Sequence, residues 1–431
     1  MPGSESSTAW RQKIIVELLL PGMSNLLKFP EGFLWGTSTS AHQVEGDNLN
    51  DWTAWEKENA SRLAGEAKNY WQPWQQEKFP EMFSPENYIS GRVTDHYHRY
   101  EEDFDLAKVM NNNAHRFSIE WSRIEPEEGK FNEKEIEHYR NIIKMLKIRG
   151  LEPFVSLWHW TVPIWFSKKG GFEKRENIKY FVRFCEVVVE EFKNDVKFWL
   201  VLNEPEIHAG HSYLKGTWPP QKKNFFSYLK VFKNLIWAHR SVFLAIKQAN
   251  AQAQVGITKN NIYFEGWLSP IIRWWWNFYF LNCIKTHQDF IGLNYYFHNR
   301  IKGLKFNQNK NEETSDLGWE IYPKGIYYVL RELKKYQKPI YITENGLADA
   351  KDEKREKFIK EHLYWIHKAI QEGVDIRGYF YWSLLDNFEW DKGFWPRFGL
   401  IEVDYKTFYR KLRSSSRIYG EIAKENSIPN E

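Results

Sequence analysis

WLVLNEP, residues 199–205, is four apolar residues running straight into Asn203, Glu204 and Pro205. A continuous apolar run of that kind is a strand buried on both faces. Proline cannot continue a ladder, so the strand stops at Pro205. A carboxamide and a carboxylate are therefore left at the C-terminal lip of a buried strand, where an α/β barrel carries its catalytic groups. PIYITENG, residues 339–346, has the same grammar: an apolar β-branched run, then Glu344, Asn345 and a glycine stop. Two glutamates on two strand ends are the raw material for two-carboxylate chemistry.

Outward from these runs, strand and helix signals alternate. FLWGTSTS (33–40), AHRFSI (114–119) and PFVSLWHW (153–160) precede the quoted strand; AQVGIT (253–258), DFIGLNYY (289–296), PIYIT (339–343) and RGYFYWS (377–383) follow it. Helical periodicity falls at 96–110, 134–149, 177–192, 226–249, 325–335, 354–372 and 409–424. Eight strands interleaved with helices predict an α/β fold, a single (β/α)8 TIM barrel with elaborated βα loops. An open doubly wound sheet normally brings G-x-G-x-x-G after its first strand, and GTSTSAHQVEG has no such turn. The expected divisions are an N-terminal extension over 1–28, the barrel over 29–425 and a short tail over 426–431. Residues 51–92, with Trp52, Trp55, Trp71 and Trp74, are expected to form a lid beside the site's entrance.

A net charge of +4, from 60 basic and 56 acidic residues, gives no drive toward nucleic acid or an anionic membrane. No run approaches the ~18 apolar residues of a membrane-spanning helix. Two cysteines, Cys185 and Cys283, suit a reducing, cytoplasmic setting rather than a disulfide framework. No ligand spacing such as H-E-x-x-H is present, so neither metal nor cofactor is expected. The 22 tryptophans supply flat apolar faces with a polar edge. Trp121 and Trp158 are expected in the core.

The polar residues at the predicted strand ends fit one kind of ligand. They are Gln43, Arg116, His159, Trp160, Asn203, Glu204, Asn294, Tyr296, Glu344, Trp382, Glu389 and Trp390. A sugar presents hydroxyls that donate and accept, plus apolar C–H faces. Carboxylate, amide and imidazole groups match the first and indole the second. The wrong epimer is rejected because it leaves buried polar groups unpaired.

FPEGFLWGTSTSAHQVEG, HRFSIEWSRIEP, WLVLNEP, DFIGLNYY, DLGWEIYP, IYITENGLAD and YWSLLDNFEW…RFGLIEVDY together resemble the blocks of family 1 glycoside hydrolases, retaining β-glycosidases on one barrel. The resemblance runs from Phe29 to about Tyr419. It implies Glu204 as general acid/base, Glu344 as nucleophile and Asn203 on the sugar 2-hydroxyl. Arg116 and Tyr296 would contact the nucleophile, with Asn294 in support. Gln43, His159, Glu389 and Trp390 would bind the other hydroxyls. Trp382 would stack under the ring, and Trp160 and Phe398 complete the substrate-binding set. DNFEWDKGFWPRFGL lacks the phosphate cradle of the phosphoglycosidases. A glutamate at 204, where thioglucosidases carry glutamine, points to O-glycosides.

That division of labour has a physical requirement. The acid must keep its proton near neutral pH, through burial and the neighbouring Glu344 charge, while the cation of Arg116 favours an ionised nucleophile. Retention needs the carboxyls ~5–5.5 Å apart and inversion roughly 6.5–9.5 Å. The expected activity is exo-hydrolysis of small β-glucosides, with galactosides and fucosides as side substrates. A silent glycan-binding relative and a transglycosylase are the alternatives. Between Thr258 and Asp289 the chain is shorter than the family pattern. Either a compact helix packs there on the barrel wall, or Trp267 and Trp274 form a platform at the aglycone entrance.

Overall fold

The computed structural model describes residues 26–430. Eight parallel strands close a barrel: β1 (Leu34–Ser38), β2 (Ala114–Ser118), β3 (Glu152–Ser156), β4 (Phe198–Asn203), β5 (Gln254–Asn260), β6 (Phe290–Asn294), β7 (Ile340–Asn345) and β8 (Ile376–Trp382). Each pairs with its sequence neighbour, and β8 returns to β1 through Gly378↔Leu34 to Trp382↔Ser38. The lumen is plugged by Phe154, Phe198, Leu200, Phe290, Tyr341 and Phe380. Phe154 and Phe198 stack at 4.2 Å between ring centroids. The outward residues Trp199, Val201, Ile340 and Ile342 join the larger core under the helices. These strands are apolar on both faces because both faces are covered.

Two register shifts turn polar side chains into the lumen. Period-two alternation from Phe198 and Leu200 would turn Leu202 inward and Asn203 outward. The β4–β5 ladder slips between Leu200 and Asn203, Leu202 packs outward and Asn203 faces the lumen. In β7 the same alternation would send Glu344 outward with Ile342. The ladder to β6 shifts between Ile342 and Glu344, and the carboxylate turns in.

The helices follow their apolar spacing. Glu133–Ile148 buries Ile136, Tyr139, Ile142, Ile143 and Leu146 on one face, and the Asn132 side chain caps its first turn at Lys134 N. Ile178–Phe192 repeats the pattern with Phe181, Phe184, Cys185, Val188 and Val189.

Several expectations are corrected. Residues 51–92, read without any assigned element, are largely helical. Asp51–Tyr70 is a helix with an Asn50/Thr53 capping box, followed by Pro73–Lys78 and short 3-10 turns. Strand β3 ends at Ser156, although Leu157 N–H still donates to Leu200 O at 2.8 Å, and the chain turns away by Trp160, at φ 78°. The last helix is Ser414–Glu425, not 409–424. Arg410–Leu412 is instead a strand against Ile401–Val403, held extended where Arg410 pairs with buried Asp103 at 2.9 Å. In region 259–288 the compact helix on the barrel wall is present, unbroken over 269–284, with a short strand ahead of it and a π turn inside it. The strand, Tyr263–Glu265, pairs with His298–Arg300, and the π turn is Trp274–Phe278. The supposed extension and tail meet each other: Leu26–Lys28 pairs antiparallel with Ser427–Pro429, which buries Ile428. The rest of the extension, 1–25, lies outside the described residues.

Candidate active site

Seven strand ends contribute side chains to one cavity of about 150 Å³, and β2 sends Arg116 in beneath it. Gln43, His159, Trp160, Glu204, Tyr296, Glu344, Trp382, Glu389, Trp390 and Phe398 all line this space. Arg116, Asn203 and Asn294 sit just behind the two carboxylates.

The carboxylates are held by different partners. Glu344 Oε1 accepts from the Arg116 guanidinium, and its Oε2 accepts from the Tyr296 hydroxyl at 2.8 Å. Glu204 receives amide donors: Asn294 Nδ2 at 2.7 Å and Asn260 Nδ2 at 3.1 Å, both on Oε1. Among the described residues no cation pairs with it. Burial, then the charges of Glu344 and Glu206, pushes the Glu204 carboxyl up to about 8. Glu204 also sits in the left-handed region at φ 42°, which frees the chain to turn at Pro205. One carboxyl thus keeps a proton at neutral pH beside another that is paired with a cation.

Asn203 ties the two halves together. Its Oδ1 accepts from Arg116 at 2.7 Å and its Nδ2 donates to His159 Nε2 at 3.0 Å. Because Arg116 can only donate, the amide orientation is fixed, and the His159 proton belongs on Nδ1. That nitrogen is buried with no partner among the described residues, which leaves a donor for a ligand hydroxyl. Burial, then Arg116 and His42, holds the His159 imidazole well below its usual range, so it stays neutral. On the far wall, Gln43 donates to Phe388 O at 2.8 Å and to Glu389 at 3.3 Å. Asn387 donates to Glu389 at 2.8 Å. Burial raises the Glu389 carboxyl to about 7.

The aromatic wall extends beyond the expected set. Trp390 meets Trp160 at 4.7 Å and Trp52 at 4.6 Å between centroids, and Trp160 meets Trp218 at 4.8 Å. Trp218, His211, Ile207, Phe297, Trp319, Asn260, Asp391 and Lys392 also line the cavity. Asn260 escaped the sequence reading because β5 runs two residues past its expected end at Thr258. The others lie on loops or on helical turns of three to six residues, too short for a periodicity to expose them.

The profile of glycosyl hydrolase family 1 matches residues 26–265 and 279–428. The chain belongs to glycosyl hydrolase family 1. Among family 1 relatives, β-glucosidase A of Thermotoga maritima is 33% identical over 464 aligned residues, 94% of this chain and 99% of the relative. A solved β-glycosidase from Pyrococcus horikoshii superposes with a TM-score of 0.83 at 39% identity, covering 94% of this chain and 96% of that one. The Thermotoga maritima β-glucosidase in complex with glucoimidazole gives 0.80 at 30% identity, over 93% of this chain and all of that one. Within the family 1 frame, residues 266–278 are the stretch the profile leaves unmatched. Trp267 and Trp274, the alternative aglycone platform, are exposed and do not line the cavity.

Proposed function

We propose that this family 1 enzyme is a retaining exo-β-glycosidase that hydrolyses β-D-glucosides by double displacement. The observation that carries the reading is the unequal pair in one cavity, Glu204 holding a proton and Glu344 clamped by Arg116 and Tyr296. Glu344 attacks the anomeric carbon while Glu204 passes its proton to the departing glycosidic oxygen. The aglycone leaves as an alcohol, and the sugar remains as an ester on Glu344. Esterification removes the Glu344 charge, the second-largest cause of the high Glu204 pKa, so Glu204 then ionises more readily. It takes a proton from water, water attacks the anomeric carbon from the face the aglycone left, and Glu344 is released. Two inversions give net retention.

The neutral His159, Gln43 and Glu389 suit the outer hydroxyls of one terminal sugar, with indole faces against its carbons. Relatives that carry the name β-glucosidase support glucose in that position. Glu389, near the 4- and 6-hydroxyls, suits tolerance of galactosides and fucosides. Activity on aryl β-glucosides, with an alkaline limb of kcat/KM near pH 8, is the expected result. Glu344→Ala abolishes turnover, and added azide restores part of it as the inverted α-glucosyl azide. Wild-type turnover in that variant would remove Glu344 from the nucleophile's place.

A further inference from the structure

Lys259 is fully buried at the end of β5, and its ammonium has three acceptors. They are Glu206 Oε1 at 2.7 Å, the Trp276 carbonyl at 2.7 Å and the Asn260 carbonyl at 3.1 Å. Glu206 Oε1 also accepts the Asn260 N–H at 2.8 Å. The backbone of Asn260 is therefore gripped at both its N–H and its C=O by one ion pair, while its side-chain amide points at Glu204 Oε1. Trp276 lies in the π-helical turn Trp274–Phe278, inside the stretch that the family profile does not match. A π turn shifts carbonyls away from their regular helical partners, and one of these serves Lys259. Asn277, next in the same turn, bridges Ile262 by accepting from its N–H at 3.1 Å and donating to its C=O at 2.9 Å. Residues 260–262 are thereby clamped against the turn.

A buried ion pair is a poor stabiliser compared with packed apolar side chains, so its presence here asks for another reason. We propose that the Glu206–Lys259 pair, locked by the turn at residues 274–278, positions Asn260 and balances charge behind Glu204, making both residues positioning residues for the acid/base step. The inference rests on the role given to Glu204 under the proposed function. The charged and titratable groups that face Glu204 are Glu344 with its partner Arg116, the Tyr296 hydroxyl, Glu206 and Lys259. Glu206 and Lys259 act on Glu204 with opposite sign. Removing the carboxylate alone leaves the cation, which favours ionised Glu204 and lowers its pKa.

The test is leaving-group dependence combined with a pH profile. Departure of 2,4-dinitrophenolate needs no proton, whereas departure of methanol from methyl β-glucoside does. Lys259→Met and Glu206→Gln should lose roughly tenfold more kcat/KM on the methyl glucoside than on the dinitrophenyl glucoside. In Glu206→Gln the alkaline limb should move to lower pH by about one unit. Equal losses on the two aglycones, or an unmoved limb in Glu206→Gln, overturns the proposal. Asn277→Ala leaves the ion pair whole and keeps the question decidable if the charge variants do not fold: a smaller split of the same kind supports it and equal losses overturn it. Glu204→Ala is run beside them. If it shows no aglycone split, the role of Glu204 falls and takes this inference with it; if it does and the others do not, only the positioning role falls.

Discussion

Glu204 holds its proton at a cost to the fold. In the unfolded chain the carboxyl ionises near its ordinary 4.5, and in the folded chain near 8. Between those values the native state keeps a proton that the unfolded state has released, so this residue's contribution to stability falls as pH rises through the window. Glu204→Gln removes the titration while keeping the amide-like shape. It should raise thermal stability at pH 7 by roughly 1–2 kcal/mol and by much less at pH 4, as checked by melting curves at both pH values. An equal gain at both pH values would point to packing instead. The identities of Glu204 and Glu344 were legible in NEP and TENG, because a carboxylate after an apolar run needs no distant information to be noticed. The need for one protonated and one ionised carboxyl followed from the roles the family resemblance implies, but the amides of Asn260 and Asn294 that hold Glu204 were not legible as its partners, since they reach it from two other strands.

Among the elements that the sequence reading missed, helix Asp51–Tyr70 is the longest. Its mean polarity masks a buried stripe of Trp52, Trp55, Asn59, Ala60, Ala64 and Ala67, and its start is marked only by the Asn50/Thr53 capping box. It places Trp52, fully buried, behind Trp390 and 5.4 Å from Trp218. Trp52→Phe should loosen that wall and raise KM for aryl glucosides roughly threefold, with kcat within about twofold. A matching fall in kcat would instead tie the helix to the chemical step. The turn at Trp274–Phe278 carries the opposite lesson. Trp274 was one of two tryptophans offered as an alternative platform for the aglycone, yet the turn's contribution to the site is the Trp276 carbonyl, which any residue type would offer.

At the scale of the whole molecule, the ribbon of Leu26–Lys28 and Ser427–Pro429 packs against the helices Arg355–Gln371 and Ser414–Glu425 and so joins the two ends of the described chain on the outside of the barrel. Asn426 caps the last helix at φ 49°. Its Oδ1 accepts from Trp35 Nε1 at 2.9 Å, and its Nδ2 donates to the Phe29 and Pro30 carbonyls at 3.0 and 3.1 Å. Asn426→Ala loses these bonds and an αL-tolerant residue, so it should cost about 2 kcal/mol and lower Tm by several degrees, with activity at ordinary assay temperature unchanged. An unchanged Tm would show that the terminal ribbon holds without that side chain. By itself the sequence determined the barrel, the order of its strands and which carboxylates stand at the lip. Those follow from local patterns: apolar runs, a proline or glycine stop, and strand alternating with helix. Only the tertiary structure decided which way those groups face. Strict alternation would have turned Asn203 and Glu344 toward the helices; slips in register against neighbouring strands turned them inward. A strand's register is set by its partner, and the partner lies tens of residues away in the chain, so no local reading contains it.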